Sequence, residues 1–173
     1  MIAYRNVAAA EVNRGLFAGF VRRQVVTLCW RREGGGWTLR DDPFVDDWSE
    51  DDYRALLEHL RGILSGGGLV RGAFLGGRLR GFASVSAQPY GAYLDLTQLY
   101  VSAELRRQGV GRALFLAAAD WARAHGAGKL YISAHSAAES QAFYRAMGCV
   151  EAQAYMRHHV EAEPFDCQLE YGL

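Results

Sequence analysis

The sequence has no excess of charge of either sign. Lysine and arginine total 19 residues and aspartate and glutamate also total 19, so the formal net charge at neutral pH is zero. General affinity for nucleic acids or for anionic membrane surfaces requires a surplus of positive charge. We therefore expect neither nucleic acid nor membrane among the partners of this protein.

Cysteine is scarce, and long apolar segments are missing. The three cysteines, Cys29, Cys149 and Cys167, are odd in number and lack the spacing of metal ligands, which favours buried thiols in a reducing compartment over disulfides. Residues 1–7 lack the charged flank and apolar core of a secretion signal, and no stretch approaches the length needed to cross a bilayer. We expect a cytoplasmic protein.

The chain does have enough apolar residues for one sizeable core. Half of its 173 residues are hydrophobic, and a chain of this length fits one domain, which we place over residues 1–173. Internal repeats are missing, and the only low-complexity tracts are short glycine runs. The sequence therefore predicts a single domain.

Hydrophobic periodicity and glycine turns predict a mixture of helices and strands. Apolar residues at helical spacing predict a helix over residues 7–22, interrupted by glycines. Ser49 opens a capping-box-like helix start, and Gly76-Gly77 give the clearest hairpin signal, so the elements together predict a mixed α+β sheet. The remaining predicted strands are 25–31, 37–39, 70–75, 78–87, 93–101, 129–135, 151–157 and 166–171, and the remaining predicted helices are 113–125 and 136–147.

The most informative segment is a basic glycine turn between a strand and a helix. Residues 106–112 read R-R-Q-G-V-G-R and bring backbone N–H groups to the positive end of a helix dipole, where a diphosphate fits. Gly109 and Gly111 lack the Cβ atoms that would keep a phosphate off the backbone, and three arginines add charged donors. The alternative is an ordinary strand-to-helix loop with exposed arginines.

The run R-R-Q-G-V-G resembles the R/Q-x-x-G-x-G/A motif of the GCN5-related N-acetyltransferase (GNAT) family. The preceding strand ends with the family's L-x-V pattern at Leu99 and Val101. Residues 129–135, K-L-Y-I-S-A-H, resemble the family's next strand, and residues 141–148, Q-A-F-Y-R-A-M-G, resemble its helix ending in F-Y-x-x-x-G. The resemblance implies a three-layer α/β/α fold of the α+β class, with a single mixed, mostly antiparallel twisted sheet and helices on both faces.

The resemblance also implies acetyl-CoA as the cosubstrate, with no metal, and direct acetyl transfer to an amine in a ternary complex. The diphosphate is then expected at the basic turn, and the pantetheine arm between the strands at 99–101 and 131–135. A backbone N–H of the first strand would polarise the thioester carbonyl. The cofactor-binding residues implied are Leu99, Tyr100, Val101, Arg106, Arg107, Gln108, Gly109, Val110, Gly111, Arg112, Phe143 and Tyr144.

Two residues are predicted to be catalytic. Tyr144 matches the position that donates a proton to the CoA sulfur in many family members, and its alternative role is that of a core aromatic. Asp95 precedes Arg106 at an offset that resembles the base carboxylate of the histone-modifying members. It would remove the proton that an alkylamine carries at neutral pH. The alternative for Asp95 is a solvent-facing strand residue, and His135 is a secondary candidate for the base.

The acceptor is defined only as a small primary amine or the amino group of a peptide. An acidic run at residues 41–52, interrupted by Phe44 and Trp48, could receive a cationic amine, but we interpret it as a helix start that favours negative charge. We expect no metal at His158 and His159, because adjacent histidines on a strand point to opposite faces. A polar loop is the simpler interpretation of that segment.

Other functions of the same sequence stay open. A protein of this fold could bind acyl-CoA as a sensor or scaffold without turnover. A nucleotide-hydrolysing loop is disfavoured, because the turn lacks the Lys-Ser/Thr pair that contacts phosphate and magnesium. Many family members form homodimers, but no residue of this sequence identifies an interface.

Overall fold

Nine β-strands and four α-helices make up the computed structural model, which describes residues 1–173. The strands are β1 Ile2–Asn6, β2 Arg23–Glu33, β3 Gly36–Asp47, β4 Leu69–Leu75, β5 Arg78–Val85, β6 Tyr93–Val101, β7 Lys129–Ala134, β8 Val150–Glu151 and β9 Cys167–Gly172. The helices are α1 Glu50–Ser65, α2 Val110–Ala124, α3 Ala138–Met147 and α4 Arg157–Ala162, and short 3₁₀ helices occupy Ala9–Glu11, Arg14–Phe17 and Ala103–Leu105.

Seven of the strands form one mixed sheet in the order β1-β4-β5-β6-β7-β9-β8. Every neighbouring pair is antiparallel except β6 and β7, which run parallel. The mixed, mostly antiparallel sheet confirms the predicted fold class. Strands β2 and β3 form a separate two-stranded sheet, so the chain has one sheet more than predicted.

Helices cover both faces of the large sheet, as predicted. Successive strand residues point to opposite faces: Leu69 belongs to the core under α2, whereas Val70 belongs to the core under α1. Leu130 packs in the α2 core, so the neighbouring Tyr131 faces the α1 side, where it packs beside Met156 just before α4. Helices α1 and α4 therefore share the face opposite α2.

Local signals with an identifiable backbone role predicted their elements well. The Ser49 hydroxyl accepts a hydrogen bond from the Asp52 amide at 3.2 Å, and the Asp52 carboxylate accepts one from the Ser49 amide at 2.7 Å, which together form the predicted capping box. Gly76 and Gly77 have φ angles of 57° and 76° and join β4 to β5 as predicted.

The predicted helix over residues 7–22 is wrong. The segment contains two short 3₁₀ helices instead, and the Asn13 side chain accepts a hydrogen bond from the Leu16 amide at the start of the second. Gly19 has φ 74°, a left-handed conformation that an α-helix cannot include. Val12, Phe17 and Phe20 are still buried in the core under α1, whereas Val21 is exposed.

The predicted strand over residues 151–157 is also wrong. Strand β8 ends at Glu151, and α4 starts at Arg157. Side chains of the sheet replace the ladder in between: the Glu170 carboxylate accepts a hydrogen bond from the Gln153 amide at 3.0 Å, and the Tyr131 hydroxyl accepts one from the Met156 amide at 3.0 Å. These contacts turn the chain away from the sheet.

The hairpin of β2 and β3 is longer than predicted and carries part of the acidic run. Asp41, Asp42, Asp46 and Asp47 lie on β3, and only the acidic residues from Glu50 onwards belong to the first turn of α1. The interpretation of the whole run as a helix start is therefore wrong.

None of the helices is long and apolar enough to span a membrane.

Candidate active site

A cleft opens where β6 and β7 separate. The two strands pair only from Tyr93 to Asp95 on β6. Immediately beyond, the ladder between β5 and β6 skips Thr97, which is an extra residue in β6, and such a bulge bends the strand that carries it. The separated strands leave a cleft of about 480 Å³ at the centre of the sheet.

The basic glycine turn lies at the mouth of this cleft. Six consecutive backbone N–H groups, from Arg107 to Arg112, make no hydrogen bond within the chain. Arg107 and Gly109 both have left-handed conformations, with φ 61° and 80°, and α2 begins directly after Gly109. Unpaired amides at the positive end of a helix form an anion site, so the turn can bind phosphate groups through its backbone.

Most of the predicted site residues come together around the cleft. Gln108 and Val110 do not line it through their side chains: the Gln108 amide group donates to the Glu104 carbonyl at 3.0 Å, and the Val110 side chain is buried in the core under α2. Their unpaired backbone N–H groups belong to the turn described above. The predicted residues that line the cleft are Leu99, Tyr100, Val101, Arg106, Arg107, Gly109, Gly111, Arg112, Phe143 and Tyr144.

Tyr144 projects from α3 into the cleft, half-buried. Its ring packs edge-on against Phe115 of α2 at a centroid distance of 6.2 Å, and its hydroxyl makes no hydrogen bond within the chain. Burial raises the pKa of Tyr144 well above the ordinary value of a tyrosine. The hydroxyl therefore stays protonated at neutral pH and can donate a hydrogen bond to a group in the cleft.

Asp95 is buried beside the cleft and does not line it. Its Oδ2 atom lies 2.6 Å from Nε2 of His159 on α4, and its Oδ1 atom is enclosed without a hydrogen-bond partner. Burial lowers the pKa of His159, but the hydrogen bond and charge of Asp95, with the charge of Asp166, outweigh it and raise that pKa overall. Asp95 is thus held in a buried pair and is not the solvent-facing residue of the alternative interpretation.

Comparison with known proteins identifies the family. The model of the acetyltransferase (GNAT) family matches residues 36–149, more than half of the chain. The chain belongs to the GNAT family. A search of curated proteins finds no match.

Solved GNAT structures share the fold along almost the entire chain. Nourseothricin acetyltransferase has a TM-score of 0.73 at 21% identity, covering 99% of this chain and 98% of that chain. A proposed streptothricin acetyltransferase from Bacillus anthracis str. Ames, in complex with acetyl coenzyme A, has a TM-score of 0.72 at 13% identity over 100% and 99%. PaiA N-acetyltransferase from Thermoplasma acidophilum, in complex with coenzyme A, has a TM-score of 0.64 at 15% identity over 100% and 99%. At these identities the likeness establishes the fold.

The opposite wall of the GNAT cleft contains residues that the sequence did not reveal. Arg22 is buried, and its guanidinium carbon lies 4.7 Å from the centre of the Tyr100 ring and 5.3 Å from that of Trp48. It forms an ion pair with Asp46 of β3, and both residues line the cleft. The only sequence signal was the acidic run that contains Asp46, because nothing in the local sequence marks Arg22.

His135 also lines the cleft, at the end of β7. Its Nδ1 atom accepts a hydrogen bond from the Ala137 amide at 3.0 Å. This contact fixes the ring and occupies one of its two nitrogens, as is common for a histidine at the end of a strand. The nearby Ser133 hydroxyl donates to the Asp166 carboxylate at 3.0 Å, and burial raises the pKa of that carboxyl group.

The argument against a metal at His158 and His159 assumed that both residues lie on a strand, and this assumption is wrong. Both histidines lie on α4, where their ring centres are 4.2 Å apart, and each offers a ligand atom within 4.8 Å of the other and of Asp95. In the structure Oδ2 of Asp95 and Nε2 of His159 contact each other directly, so these two ligand atoms are already engaged with each other. The absence of a metal stays a prediction.

Proposed function

We propose that this GNAT protein transfers an acetyl group from acetyl-CoA directly to an amine, with both substrates bound together. The observation that carries the proposal is the row of six unpaired amides at the mouth of the cleft between β6 and β7. Such a row stabilises a diphosphate, since each amide otherwise lacks an acceptor. The CoA and acetyl-CoA bound in two of the similar structures support the same ligand here.

The residues of the chain fit the parts of coenzyme A in order. The amides of residues 107–112 would hold the diphosphate, with Arg106, Arg107 and Arg112 as charged donors. The edge of β6 from Leu99 to Val101 faces the cleft without a partner strand on that side. It can therefore pair with the amides of the pantetheine arm and offer an N–H to the thioester carbonyl.

Acetyl-CoA would supply the activated acyl group, and the chain would supply position and protons. Tyr144 would donate its hydroxyl proton to the departing sulfur, because Tyr144 lines the cleft and its hydroxyl is protonated at neutral pH. Asp95 stays a proposed contributor to proton removal, but its enclosed carboxylate can act only through other groups. Neither step requires a metal in this proposal.

The acceptor is proposed to be a small primary amine or the amino group of a larger molecule. The names of two similar structures point to nourseothricin and streptothricin, so antibiotics that carry free amino groups belong among the first candidates. All three cysteines are free and buried, which supports our proposal that the enzyme works in a reducing cytoplasm.

The test is an amine screen with acetyl-CoA, in which released thiol and acetylated product are both measured. Polyamines, amino acids, lysine peptides, aminoglycosides and nourseothricin form the panel. We expect product with at least one class and a fall in kcat of about 10²-fold in Tyr144→Phe, the usual size of a general-acid effect. Tyr171→Phe is the matched control, because Tyr171 also packs on Phe115, at 5.1 Å, but lies outside the cleft.

The outcomes separate the two functions that the sequence left open. Acetyl-CoA that binds tightly in calorimetry without any acetylated product across the panel would favour a sensor or scaffold. Equal activities of Tyr144→Phe and Tyr171→Phe would refute the role of Tyr144 as the acid but would leave the proposed acetyl transfer standing.

A further inference from the structure

A chain of two hydroxyls and one imidazole connects the wall of the cleft to α1. Thr97 Oγ1 lies 2.7 Å from Ser84 Oγ and 3.0 Å from Nε2 of His59. Thr97 is the bulged residue of β6 and lines the cleft, whereas Ser84 is completely buried. His59 is half-buried on α1. Nothing in the sequence patterns marked this group.

The hydrogen-bond geometry favours one arrangement of protons. If Ser84 donates to Thr97 and Thr97 donates to His59, both short contacts are used and Nε2 of His59 is the acceptor. The Thr97 oxygen then keeps one lone pair for a donor in the cleft. In the opposite arrangement His59 would donate to Thr97, and Thr97 would donate to Ser84 Oγ or to the Ser84 carbonyl at 3.4 Å. The first choice leaves the hydroxyl proton of the completely buried Ser84 without an acceptor, and the second is a long hydrogen bond.

Charged groups on the neighbouring elements decide which histidine can take a proton. His59 is faced by Asp95 of β6 and by His159 of α4. Burial lowers the pKa of His59, Asp95 opposes this effect and His159 adds to it, so His59 is neutral at pH 7. The pKa of His159 is raised instead, and its Nε2 atom is engaged by Oδ2 of Asp95. His59 is therefore the neutral histidine whose Nε2 atom contacts the cleft wall, at Thr97.

We propose that His59 accepts the proton of the acceptor amine through the hydroxyl of Thr97. This inference rests on the proposed acetyl transfer. An ammonium acceptor first loses a proton to Thr97 Oγ1 while the Thr97 hydroxyl proton moves to Nε2 of His59, which releases it to solvent because its ring is half-buried. The neutral amine nitrogen then forms the new bond to the acyl carbon and loses its second proton by the same route. The carbon–sulfur bond breaks, the sulfur takes its proton from Tyr144, and Tyr144 regains a proton from solvent through the cleft.

His59 is a positioning residue in this scheme, because it acts through Thr97. The charge of Asp95, which opposes the lowering of the His59 pKa by burial, would stabilise the imidazolium without touching the substrate. This role is consistent with the enclosed position of the carboxylate. The scheme assigns the group that removes the proton to α1, on the same face as the Arg22–Asp46 wall. That is the face from which an acceptor would reach a thioester held between β6 and β7.

The first test measures the tautomer of His59 and needs no acceptor. Nitrogen-15 NMR of the free protein at about pH 8 should show the proton on Nδ1 and a bare Nε2, with a titration midpoint below the ordinary value of about 6.5. The signal of His59 is identified as the one that is missing from the spectrum of His59→Gln. A proton found on Nε2 would overturn the relay, because Thr97 could not then donate to the ring.

The second test is kinetic and uses the best amine of the screen. At pH 7 both His59→Gln and Thr97→Val should lower kcat by about 10²-fold with an unchanged KM for acetyl-CoA, and the deficit should shrink towards pH 10, where the amine loses its own proton. Thr97→Ser, which keeps the hydroxyl, should retain most of the activity. His125→Gln, at the exposed end of α2, is the control for a histidine outside the network.

The results separate the relay from the proposed function. A wild-type protein that acetylates no amine would overturn the proposed transfer and the relay with it. An active wild type with a His59→Gln variant of unchanged pH profile would overturn the relay alone. A uniform loss of activity in His59→Gln at every pH would also contradict it, because that result indicates a structural role for the ring.

Discussion

Replacing Gly109 with alanine would separate backbone strain from crowding of the proposed diphosphate site. Gly109 has φ 80°, and a Cβ added there would meet no atom of the chain within 4 Å. The new methyl group is therefore strained by its left-handed backbone, by about 1–2 kcal/mol, but it has space in the folded chain. In a domain of this size each kcal/mol lowers Tm by about 2–4 °C. We expect Gly109→Ala to lower Tm by about 2–8 °C.

Gly126→Ala is the matched control. Gly126 has φ 83°, follows the other end of α2, and also has nothing within 4 Å of an added Cβ. Its thermal loss should equal that of Gly109→Ala, but its methyl group would lie away from the cleft. At Gly109 the methyl group would occupy the space from which a phosphate approaches the amides. Because a hydrogen bond to a charged group contributes about 1.5–3 kcal/mol, losing one should weaken CoA binding by about 10- to 100-fold.

Scanning calorimetry measures the Tm of each variant, and titration calorimetry measures its affinity for CoA. Equal CoA affinities in the two variants, at equal thermal losses, would refute backbone recognition by the turn. A loss of affinity in both would indicate strain transmitted along α2 instead of local crowding. Only a loss confined to Gly109→Ala agrees with the six free amides as the ligand site.

Three further predictions follow from single contacts. Arg106→Ala should weaken CoA binding less than Gly109→Ala does, and the difference from wild type should shrink at high salt, because a half-buried charge is partly screened. His159→Asn should cost more stability at pH 6 than at pH 9: its pKa is raised in the folded state, so the stabilisation by Asp95 is present below the unfolded pKa and is lost as the pH rises through the folded pKa. Ser49→Ala should destabilise the protein by about 1 kcal/mol in urea unfolding, whereas Ser65→Ala, which removes only a bond to the helix's own Gly62 carbonyl, should cost much less.

The sequence predicted those parts of the molecule in which a short segment dictates its own backbone. The paired glycines between β4 and β5, the capping box at Ser49 and the turn at residues 106–112 each depend on residues within a few positions of one another. The family resemblance then supplied what local signals lacked, namely the order of the strands around the cleft. The family match over residues 36–149 confirms that resemblance.

One failure occurs where distant side chains override local periodicity. Residues 151–157 alternate like a strand, but the Glu170 carboxylate and the Tyr131 hydroxyl accept hydrogen bonds from their amides and turn the chain into α4, and nothing within the segment signals these contacts. The other failure has a local cause. Residues 7–22 have helical spacing, but Gly19, one of the glycines that interrupt the segment, adopts a left-handed conformation, so only short 3₁₀ helices form.

The same contrast divides the active site into two halves. The half that would hold acetyl-CoA is made largely of backbone from one continuous stretch, so a sequence motif can predict it. The opposite wall is made of side chains that lie far apart in the sequence: Arg22 just before β2, Asp46 on β3 and Thr97 on β6 line it, and His59 on α1 contacts Thr97. Asp95 shows the consequence: its place on β6 could be inferred from the sequence, but its partner His159 comes from α4, where the sequence indicated a polar loop after the predicted strand at 151–157. Because Oδ2 of Asp95 contacts His159 and Oδ1 is enclosed, Asp95 cannot reach an amine in the cleft directly, and we expect the base among the groups that surround it.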